Sequence, residues 1–457
     1  MTAGKQGGGK GKISNSQSFP LSPASSEDRI VKYDAVIFDL DGTLTESEPG
    51  ITKSVQYALE KMNRPVPDSA ALRRYIGPPL MESFMDIAGM TEEDAIRAVG
   101  VYRERFTTVG WRENSVYMGI APLLRSLKAN GAYIAVATGK PEESSRRILE
   151  YFGLAPFIDR LAAISPTDHH ADKPALVRRA LPEQYARACM VGDRAGDMEG
   201  ALANGIDGIG ALYGYGSREE LEGAGASYIA EDVAALERFL LDGSPAAPGV
   251  FVSFEGTDGC GKTTQMKRAA GWLASCGYEV VSTREPGGCP IAERIREIIL
   301  DVGSAGMTAE CEALLYAAAR AQHVFEVIRP ALARGAAVLC DRFLDSSMAY
   351  QGGGRNLGVE LVRAVNEPAV KGLMPDKTLF YDLNPDKALR RRLAVSQPDR
   401  LELEKKEFTD AVYGAYLRLA RDNPERIAVI DGDRSIEAVE ADTRRALIAA
   451  LAGRQED

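Results

Sequence analysis

One glycine-rich stretch constrains the fold of this chain more than any other segment: Gly256-Thr257-Asp258-Gly259-Cys260-Gly261-Lys262-Thr263. It has the pattern G-x-x-x-x-G-K-T, follows the apolar run 250–254 and precedes a helix-like stretch, 264–274. In such a strand–loop–helix unit, backbone N–H groups and the helix N-terminus face a phosphate. We therefore predict a nucleotide phosphate site in which Lys262 contacts the β- and γ-phosphates, Thr263 holds Mg²⁺ and Thr264 adjoins them. The alternative is a glycine-rich turn without a ligand.

The composition is that of a globular protein with more than one domain. The chain has 457 residues, of which 45% are hydrophobic and 26% charged, so two or three domains are expected. A net charge of −10 argues against a nucleic-acid partner. The absence of any apolar run of about 18 residues argues against a membrane partner. Six cysteines without a C-x-x-C pair favour a reducing cytoplasm.

The first half contains a separate carboxylate centre. The apolar run 35–38 predicts a buried strand that ends at Asp39 and Asp41. Because an unpaired buried carboxylate is costly, this pair indicates a loop that binds Mg²⁺. Strands alternate with helices along this half, which predicts a parallel sheet whose strand ends meet at one edge. Polar residues at the other ends would join the pair there: Thr138 and Gly139, Lys173, and Asp193 with Asp197.

Together, these motifs resemble the haloacid dehalogenase (HAD) phosphatase superfamily over about residues 33–241. The resemblance implies that Asp39 attacks a phosphomonoester and becomes a phospho-aspartate, while Asp41 protonates the leaving oxygen and later activates water. It implies that Thr138, Gly139 and Lys173 hold the phosphoryl group, and that Asp39, Asp41, Asp193 and Asp197 bind Mg²⁺. The helical insertion at about 47–116 looks like the small cap of this superfamily. The segments 75–80 and 209–217 are similar to its phosphoglycolate phosphatase and 5′-nucleotidase branch.

Four phrases in the second half resemble thymidylate kinase, over about residues 250–452: FEGTDGCGKTTQ (254–265), TREPGG (283–288), DRF (341–343) and AYQ (349–351). The resemblance implies ATP and Mg²⁺, a dTMP acceptor and a homodimer. Lys262 would serve the ATP phosphates, Asp341 would lie near Mg²⁺, and Asp258 would meet the acceptor sugar. Further residues are implied in dTMP binding: Arg284 and Arg342 for the phosphate, Tyr316, Arg320 and Gln351 for the base, and Tyr350 against a ribose 2′-hydroxyl. For Tyr316 and Tyr350, ordinary helix packing is the alternative.

The catalytic arginine of the kinase half is not fixed by these phrases. Some members of the family carry an arginine in the phosphate loop where this chain has Cys260. In members of the family that lack this arginine, the lid segment supplies it. Arg342 and the lid residues Arg391, Arg392 and Arg400 are therefore the candidates here, and surface charge is the alternative for the lid residues.

The sequence predicts an α/β fold of two domains, each with a parallel sheet. We expect a disordered tail at 1–30, a HAD-like hydrolase domain at 31–241, a linker at 242–249 and a thymidylate kinase domain at 250–457. The expected function is bifunctional: ATP-dependent phosphorylation of dTMP and Mg²⁺-dependent phosphomonoester hydrolysis. Two alternatives remain: a non-catalytic, regulatory first domain, or a kinase for another nucleoside monophosphate.

Overall fold

The computed structural model describes residues 31–165, 172–244, 246–393, 400–401 and 404–453. The tail expected at 1–30 lies outside the described residues. Two parallel sheets flanked by helices form the framework, which confirms the fold class expected from the sequence. No helix in the described ranges is long and apolar enough to cross a lipid bilayer.

The first sheet has six parallel strands in the order β5-β4-β1-β6-β7-β8, and a separate antiparallel pair joins β2 to β3. The strands of this half are β1 (Ala35–Phe38), β2 (Thr45–Glu46), β3 (Ser115–Val116), β4 (Tyr133–Pro141), β5 (Arg160–Ile164), β6 (Ala188–Gly192), β7 (Asp207–Ala211) and β8 (Tyr228–Ala230). Because β4, β1 and β6 are parallel neighbours, the polar residues at their carboxyl ends meet at one edge.

A helical cap is inserted between β2 and β3. It consists of α1 (Glu48–Lys61), α2 (Ser69–Arg73), α3 (Leu80–Asp86) and α4 (Glu92–Thr108). Its apolar residues form a core of their own, which includes Val55, Tyr75, Phe84 and Tyr102. The helical character agrees with the sequence expectation for 47–116. The β2–β3 pair at the two ends of the cap was not expected, because a strand of two residues has no readable alternation.

The remaining helices of the first half flank its sheet. They are α5 (Ile120–Ala129), α6 (Glu142–Tyr151), α7 (Lys173–Ala180), α8 (Ala195–Ala203), α9 (Arg218–Gly223) and α10 (Val233–Leu241). The start of α7 is fixed by Asp172, whose side chain accepts a hydrogen bond from the Ala175 N–H. Capping of this kind satisfies an orphan donor of the first turn. It therefore fixes Lys173 as the first residue of the helix.

The second sheet has five parallel strands in the order β10-β11-β9-β12-β13. They are β9 (Val250–Glu255), β10 (Val280–Arg284), β11 (Ala337–Asp341), β12 (Lys377–Asp382) and β13 (Ile427–Asp431). All six residues of β9 are buried, as expected for a central strand covered on both faces. Register pairs Arg284 with Asp341, and Asp341 with Phe254, so the ends of β10, β11 and β9 lie side by side.

Nine α-helices flank the second sheet in the described ranges: α11 (Lys262–Ser275), α12 (Pro290–Leu300), α13 (Ala309–His323), α14 (Arg329–Ala333), α15 (Leu344–Ser347), α16 (Val359–Val370), α17 (Pro385–Leu393), α18 (Lys406–Asp422) and α19 (Ile436–Ala452). A π-helical turn at Val324–Ile328 separates α13 from α14. Pro330 lies just beyond this turn and lacks the N–H that a regular ladder requires.

The two halves share one apolar core across the junction between them. The Trp272 indole N–H on α11 donates to the Tyr151 carbonyl at 3.0 Å, and the Gly119 N–H donates to the Gly277 carbonyl at 2.8 Å. The connecting segment is held as well, because the Ala247 N–H donates to the Ser126 hydroxyl at 2.9 Å. The end of the phosphate-loop helix therefore packs directly on the first half.

Candidate active sites

Three buried carboxylates converge at the edge of the first sheet. Asp39, Asp193 and Asp197 each offer an oxygen within 4.8 Å of the others, and they are at most 9% exposed. The Lys173 ammonium bridges two of them, at 2.7 Å from Asp39 Oδ1 and 2.5 Å from Asp197 Oδ1. One lysine against three carboxylates leaves negative charge that a divalent cation would offset. Carboxylate oxygens are the donors that Mg²⁺ prefers, so this donor set fits the expected cation.

The electrostatics of this centre reflect crowded burial. Burial raises the pKa of the Asp39 carboxyl to about 7, against the opposing effect of Lys173. Burial and the neighbouring Asp197 and Asp39 raise the pKa of Asp193 well above its usual value. Charged groups removed from water and set beside like charges resist ionisation. A cation in this position would favour the ionised forms.

Asp41 lies apart from this group. Its carboxylate pairs with the Lys140 ammonium at 2.9 Å, and Lys140 in turn lies 4.7 Å from the ring centre of Phe106 in the cap. The chain turns sharply after Asp41, because Gly42 adopts a φ of +82°. The Asp41 side chain is therefore not one of the clustered metal donors, in contrast to the sequence expectation. Lys140 was missed by sequence reasoning, although it directly follows Thr138 and Gly139 at a strand end.

Residues around the carboxylates fix their positions. The Thr138 hydroxyl accepts from the Lys140 N–H at 3.2 Å, and Gly139 is exposed beside it. Asp193 accepts from the Thr43 hydroxyl at 3.0 Å and from the Tyr215 N–H at 2.9 Å. A Cβ at Gly42 would lie 2.2 Å from Asp193 Oδ2. Only glycine fits this close approach, which holds Asp193 in place.

The phosphate loop of the second half connects β9 to α11. Gly256, Gly259 and Gly261 have positive φ angles, which L-residues with a side chain rarely adopt. A Cβ at Gly259 would lie 2.0 Å from the Ala388 carbonyl oxygen and 3.1 Å from the Arg392 Cβ. Helix α17 therefore packs on the loop, and the Cβ of Arg392, one of the lid candidates, lies beside Gly259.

Lys262 and Thr263 converge on Asp341 at the end of β11. The Thr263 hydroxyl donates to Asp341 Oδ2 at 3.0 Å, while the Lys262 ammonium is 3.0 Å from Asp258 and 3.9 Å from Asp341. Asp341 Oδ1 and the Thr257 hydroxyl are buried and have no hydrogen-bond partner in the part of the chain that the structure describes. Buried polar atoms without partners are rare, so these atoms fit a bound cation and phosphate. Thr264 follows on the exposed side of α11.

A cavity adjoins the phosphate loop. Six residues expected to bind the acceptor line this cavity: Asp258, Tyr316, Arg320, Arg342, Tyr350 and Gln351. Gln351 is 1% exposed. Its amide donates to Glu312 at 2.9 Å, but its Oε1 has no partner within the described ranges. An unsatisfied buried acceptor at a cavity wall indicates a ligand that donates a hydrogen bond. This arrangement suits recognition of a nucleobase N–H.

Arg342 is held in a strained backbone conformation, with a φ of +71°. Its guanidinium donates to Asp258 at 2.7 Å, to the Ser346 hydroxyl at 3.1 Å and to the Tyr416 hydroxyl at 3.3 Å. Burial alone would raise the pKa of Asp258, but Arg342 and Lys262 hold it well below its usual value. Strain of this kind clusters at functional sites, and it aims Arg342 at the cavity.

The buried carboxylate of Glu255 organises the residues behind Arg342. It accepts from the Ser253 hydroxyl and the Phe343 N–H, both at 2.7 Å. It also accepts from the Ser346 hydroxyl at 2.5 Å and the Tyr416 hydroxyl at 2.9 Å. Sequence reasoning missed Glu255 and Tyr416, whose spacing is that of ordinary strand and helix packing.

Two arginines expected to bind the acceptor differ in their surroundings from the sequence expectation. Arg320 is 1% exposed and makes four hydrogen bonds, to Glu285, Asn366, the Phe343 carbonyl and Ser347. Since a guanidinium carries five N–H groups, one remains for a base. Arg284 pairs with both Glu293 oxygens at 3.0 and 2.9 Å and does not line the acceptor cavity, because it ends the edge strand β10.

Arg400 is held away from the phosphate loop. Its guanidinium donates to Glu312 at 2.6 Å and to the Ile299 carbonyl at 2.7 Å, and the residue is 7% exposed. Glu312 also pairs with Arg355 at 3.0 Å, a residue that sequence reasoning missed. Arg391 contacts the Gly432 carbonyl at 3.3 Å. In this conformation, Arg400 supports the acceptor cavity through Glu312 and Gln351.

These two centres define a two-domain α/β enzyme that handles phosphoryl groups. The family model for thymidylate kinase matches residues 254–443, and the model for haloacid dehalogenase-like hydrolase matches residues 36–211. The chain belongs to the thymidylate kinase family through its second half, and its first half is a HAD-like hydrolase domain. Both resemblances seen in the sequence are thereby confirmed.

Two thymidylate kinases agree with the family match of the second half. The chain is 51% identical over 196 residues to the thymidylate kinase of Geobacter sulfurreducens, covering 42% of this chain and 92% of the relative. It is 48% identical over 196 residues to that of Symbiobacterium thermophilum, covering 43% and 91%. Among solved structures, a predicted phosphatase from Clostridium acetobutylicum is 44% identical, with a TM-score of 0.43, covering 45% of this chain and 97% of that one.

Proposed function

We propose that the second domain transfers the γ-phosphoryl group of ATP to dTMP and produces dTDP and ADP. An oxygen of the dTMP phosphate attacks the γ-phosphorus, and the bond to the β,γ-bridging oxygen breaks. The observation that carries the proposal is the adjacency of two sites: the loop of Lys262 and Thr263, and the cavity that contains Arg342 and Gln351. Asp258 contacts both Lys262 and Arg342, so it links the two.

Each residue of the two sites has a separate role in this phosphoryl transfer. Lys262 neutralises the donor phosphates, and Arg342 binds the acceptor phosphate. Thr263 and Asp341 would hold Mg²⁺, which supplies charge neutralisation between the phosphates. Tyr316 stacks on the base, Gln351 accepts from it, and Tyr350 disfavours a ribose 2′-hydroxyl. Arg392 is the lid residue that we assign to the transferring phosphoryl group, with Arg400 as a supporting residue.

A panel of nucleoside monophosphates tests this proposal. ADP formation from ATP is measured with dTMP, dUMP, dCMP, dGMP and UMP, and Lys262→Met serves as the inactive control. We expect the highest kcat/KM with dTMP. A clear preference for another monophosphate would overturn the assignment and support the alternative kinase.

We propose that the first domain hydrolyses a phosphomonoester through a phospho-aspartate. Asp39 attacks phosphorus, and the ester oxygen leaves with a proton from Asp41. Water, deprotonated by Asp41, then cleaves the acyl phosphate. Lys173 and Thr138 bind the phosphoryl oxygens, and Asp39, Asp193 and Asp197 would hold a Mg²⁺ ion that supplies charge neutralisation. Support comes from the Asp39, Asp193 and Asp197 cluster around Lys173.

Phosphate release from a generic phosphomonoester tests this second activity. We expect release by the wild-type protein and its loss in Asp39→Asn. No release by the wild type would favour a non-catalytic, regulatory domain. A phosphatase that acted on dTMP would remove the substrate of the kinase, so we expect another ester. Rapid release of phosphate from dTMP by Lys262→Met would contradict that expectation.

We also propose a homodimer formed through the kinase domain. Helices α12, α13 and α16 pack side by side and expose large apolar residues: Ile291, Ile298, Leu314 and Leu361, together with Phe325, which is 73% exposed. Such a patch is typical of an interface between copies. Sedimentation should give a dimer, and Phe325→Asp should give a monomer.

All six cysteines are free, which supports a reducing, cytoplasmic location.

A further inference from the structure

A cavity in the first domain lies between its cap and its sheet. It has a volume of about 730 Å³, which is within the usual range for small-molecule sites. Cap residues of α2 and α3 form one wall, and the segment 213–215 forms the other. The Tyr215 N–H donates to Asp193, so this second wall directly contacts the carboxylate centre. The cavity therefore adjoins the carboxylate centre through Tyr215 and is a space available to the organic group of an ester bound there.

The walls combine aromatic rings with charged groups. Tyr117, Tyr213 and Tyr215 supply the aromatic part. Two of the three arginines that line the cavity are already paired: Arg73 with Glu48 at 2.7 Å, and Arg194 with Glu220 at 2.9 Å. Because the charges of Arg73 and Arg194 are neutralised in these pairs, the two arginines do not make the cavity basic.

The remaining charges are mostly negative. Glu82 and Asp86 on α3 have no ion-pair partner among the described residues. Glu46 accepts from the Ser115 hydroxyl at 3.3 Å and, within the described residues, interacts with Arg73 only at longer range than an ion pair. Arg74 is the single lining cation in the described ranges without an ion pair. Among the charged lining groups without an ion pair, three are therefore carboxylates and one is a guanidinium. A negative cavity repels anions, and tyrosine faces attract cations.

We propose that the phosphatase substrate is a phosphomonoester whose organic group carries no negative charge. An organic group with a positive charge, such as an amine, is preferred over a neutral one. The inference rests on the proposed phosphatase function and adds the charge of the leaving group. It excludes a carboxylate-bearing ester as the preferred substrate, even though the sequence is similar to the phosphoglycolate phosphatase branch.

Three esters of similar size test the inference on the full chain at low ionic strength: phosphoethanolamine, propyl phosphate and phosphoglycolate. We expect kcat/KM to be about tenfold higher for phosphoethanolamine than for phosphoglycolate, with propyl phosphate between them. Added salt should reduce this ratio, because exposed charges are screened. A ratio of one or less would overturn the inference while leaving the phosphatase function intact.

A pair of variants connects the ratio to the cavity. In the double variant Glu82→Gln and Asp86→Asn, the ratio should fall toward one. Glu104→Gln is the matched control, because Glu104 is an exposed cap carboxylate that does not line the cavity, and it should keep the wild-type ratio. An unchanged ratio in the double variant would contradict the inference. Failure of all three esters to release phosphate above the Asp39→Asn level would overturn the phosphatase function and this inference together.

Discussion

Replacement of Trp272 should destabilise both domains at once, because this residue lies in the core that they share. Trp272 is 6% exposed. Its indole N–H donates to the Tyr151 carbonyl at 3.0 Å, and the Arg444 guanidinium lies 5.4 Å from its ring centre. Removal of a buried aromatic side chain costs about 3–5 kcal/mol. Trp272→Phe loses the hydrogen bond and one ring of the indole, and should cost less, about 2 kcal/mol.

Urea unfolding followed by circular dichroism and by both activities measures this effect. At a denaturant dependence of about 3 kcal/mol per molar, Trp272→Ala should lower the midpoint by about 1 M. Both activities should be lost in the same transition, because α11 and the first half unfold together. Leu202→Ala is the control, since Leu202 is 74% exposed and should change stability little. A phosphatase midpoint that equals that of the control would refute the reasoning.

Three further perturbations follow from the two centres. Tyr416→Phe removes a hydroxyl that contacts both Glu255 and Arg342, so KM for dTMP should rise about fivefold while KM for ATP stays constant in steady-state assays. Glu312→Gln leaves its arginine partners without their carboxylate, which should cost about 3 kcal/mol and lower Tm by about 10 °C in calorimetry. Removal of divalent cations with EDTA should abolish ADP formation and phosphate release, and Mg²⁺ should restore both.

Each of these has a result that would contradict it. Tyr413→Phe is the matched control for Tyr416→Phe, because Tyr413 lies on the same helix, α18, but its hydroxyl donates to Asp382 at the end of β12. An equal change in KM for dTMP in both variants would exclude positioning of Arg342 by Tyr416. An unaltered Tm in Glu312→Gln would show that the buried cluster adds no stability. Phosphate release that persists in EDTA would argue against a cation at Asp39, Asp193 and Asp197.

The sequence predicted the framework well, because its strands are short apolar runs that end in polar motifs. The run 250–254 corresponds to β9, and the expected strand 35–38 corresponds to β1. In a parallel sheet, neighbouring ends must converge, so the proximity of Asp39 and Asp193 followed from topology alone. The glycine pattern likewise located the loop at Lys262.

Side-chain pairing between remote segments could not be predicted in this way. The Asp41–Lys140 and Arg400–Glu312 pairs join residues that have no common periodicity. The positive φ of Arg342 could not be predicted, because glycine is the residue that usually signals such an angle. The contact of Trp272 with Tyr151 depends on how two domains pack, and each of these residues would serve equally well in the core of its own half.

The central claim is that one chain contains two independent phosphoryl-transfer centres, and a crossed assay of two variants tests it most directly. ADP formation from ATP with dTMP, and phosphate release from whichever of the three test esters is hydrolysed fastest, are measured for the wild type, Asp39→Asn and Lys262→Met. We predict that Asp39→Asn loses phosphate release and keeps the kinase, and that Lys262→Met loses the kinase and keeps phosphate release. Loss of both activities in either folded variant, or wild-type protein without one of them, would contradict the claim.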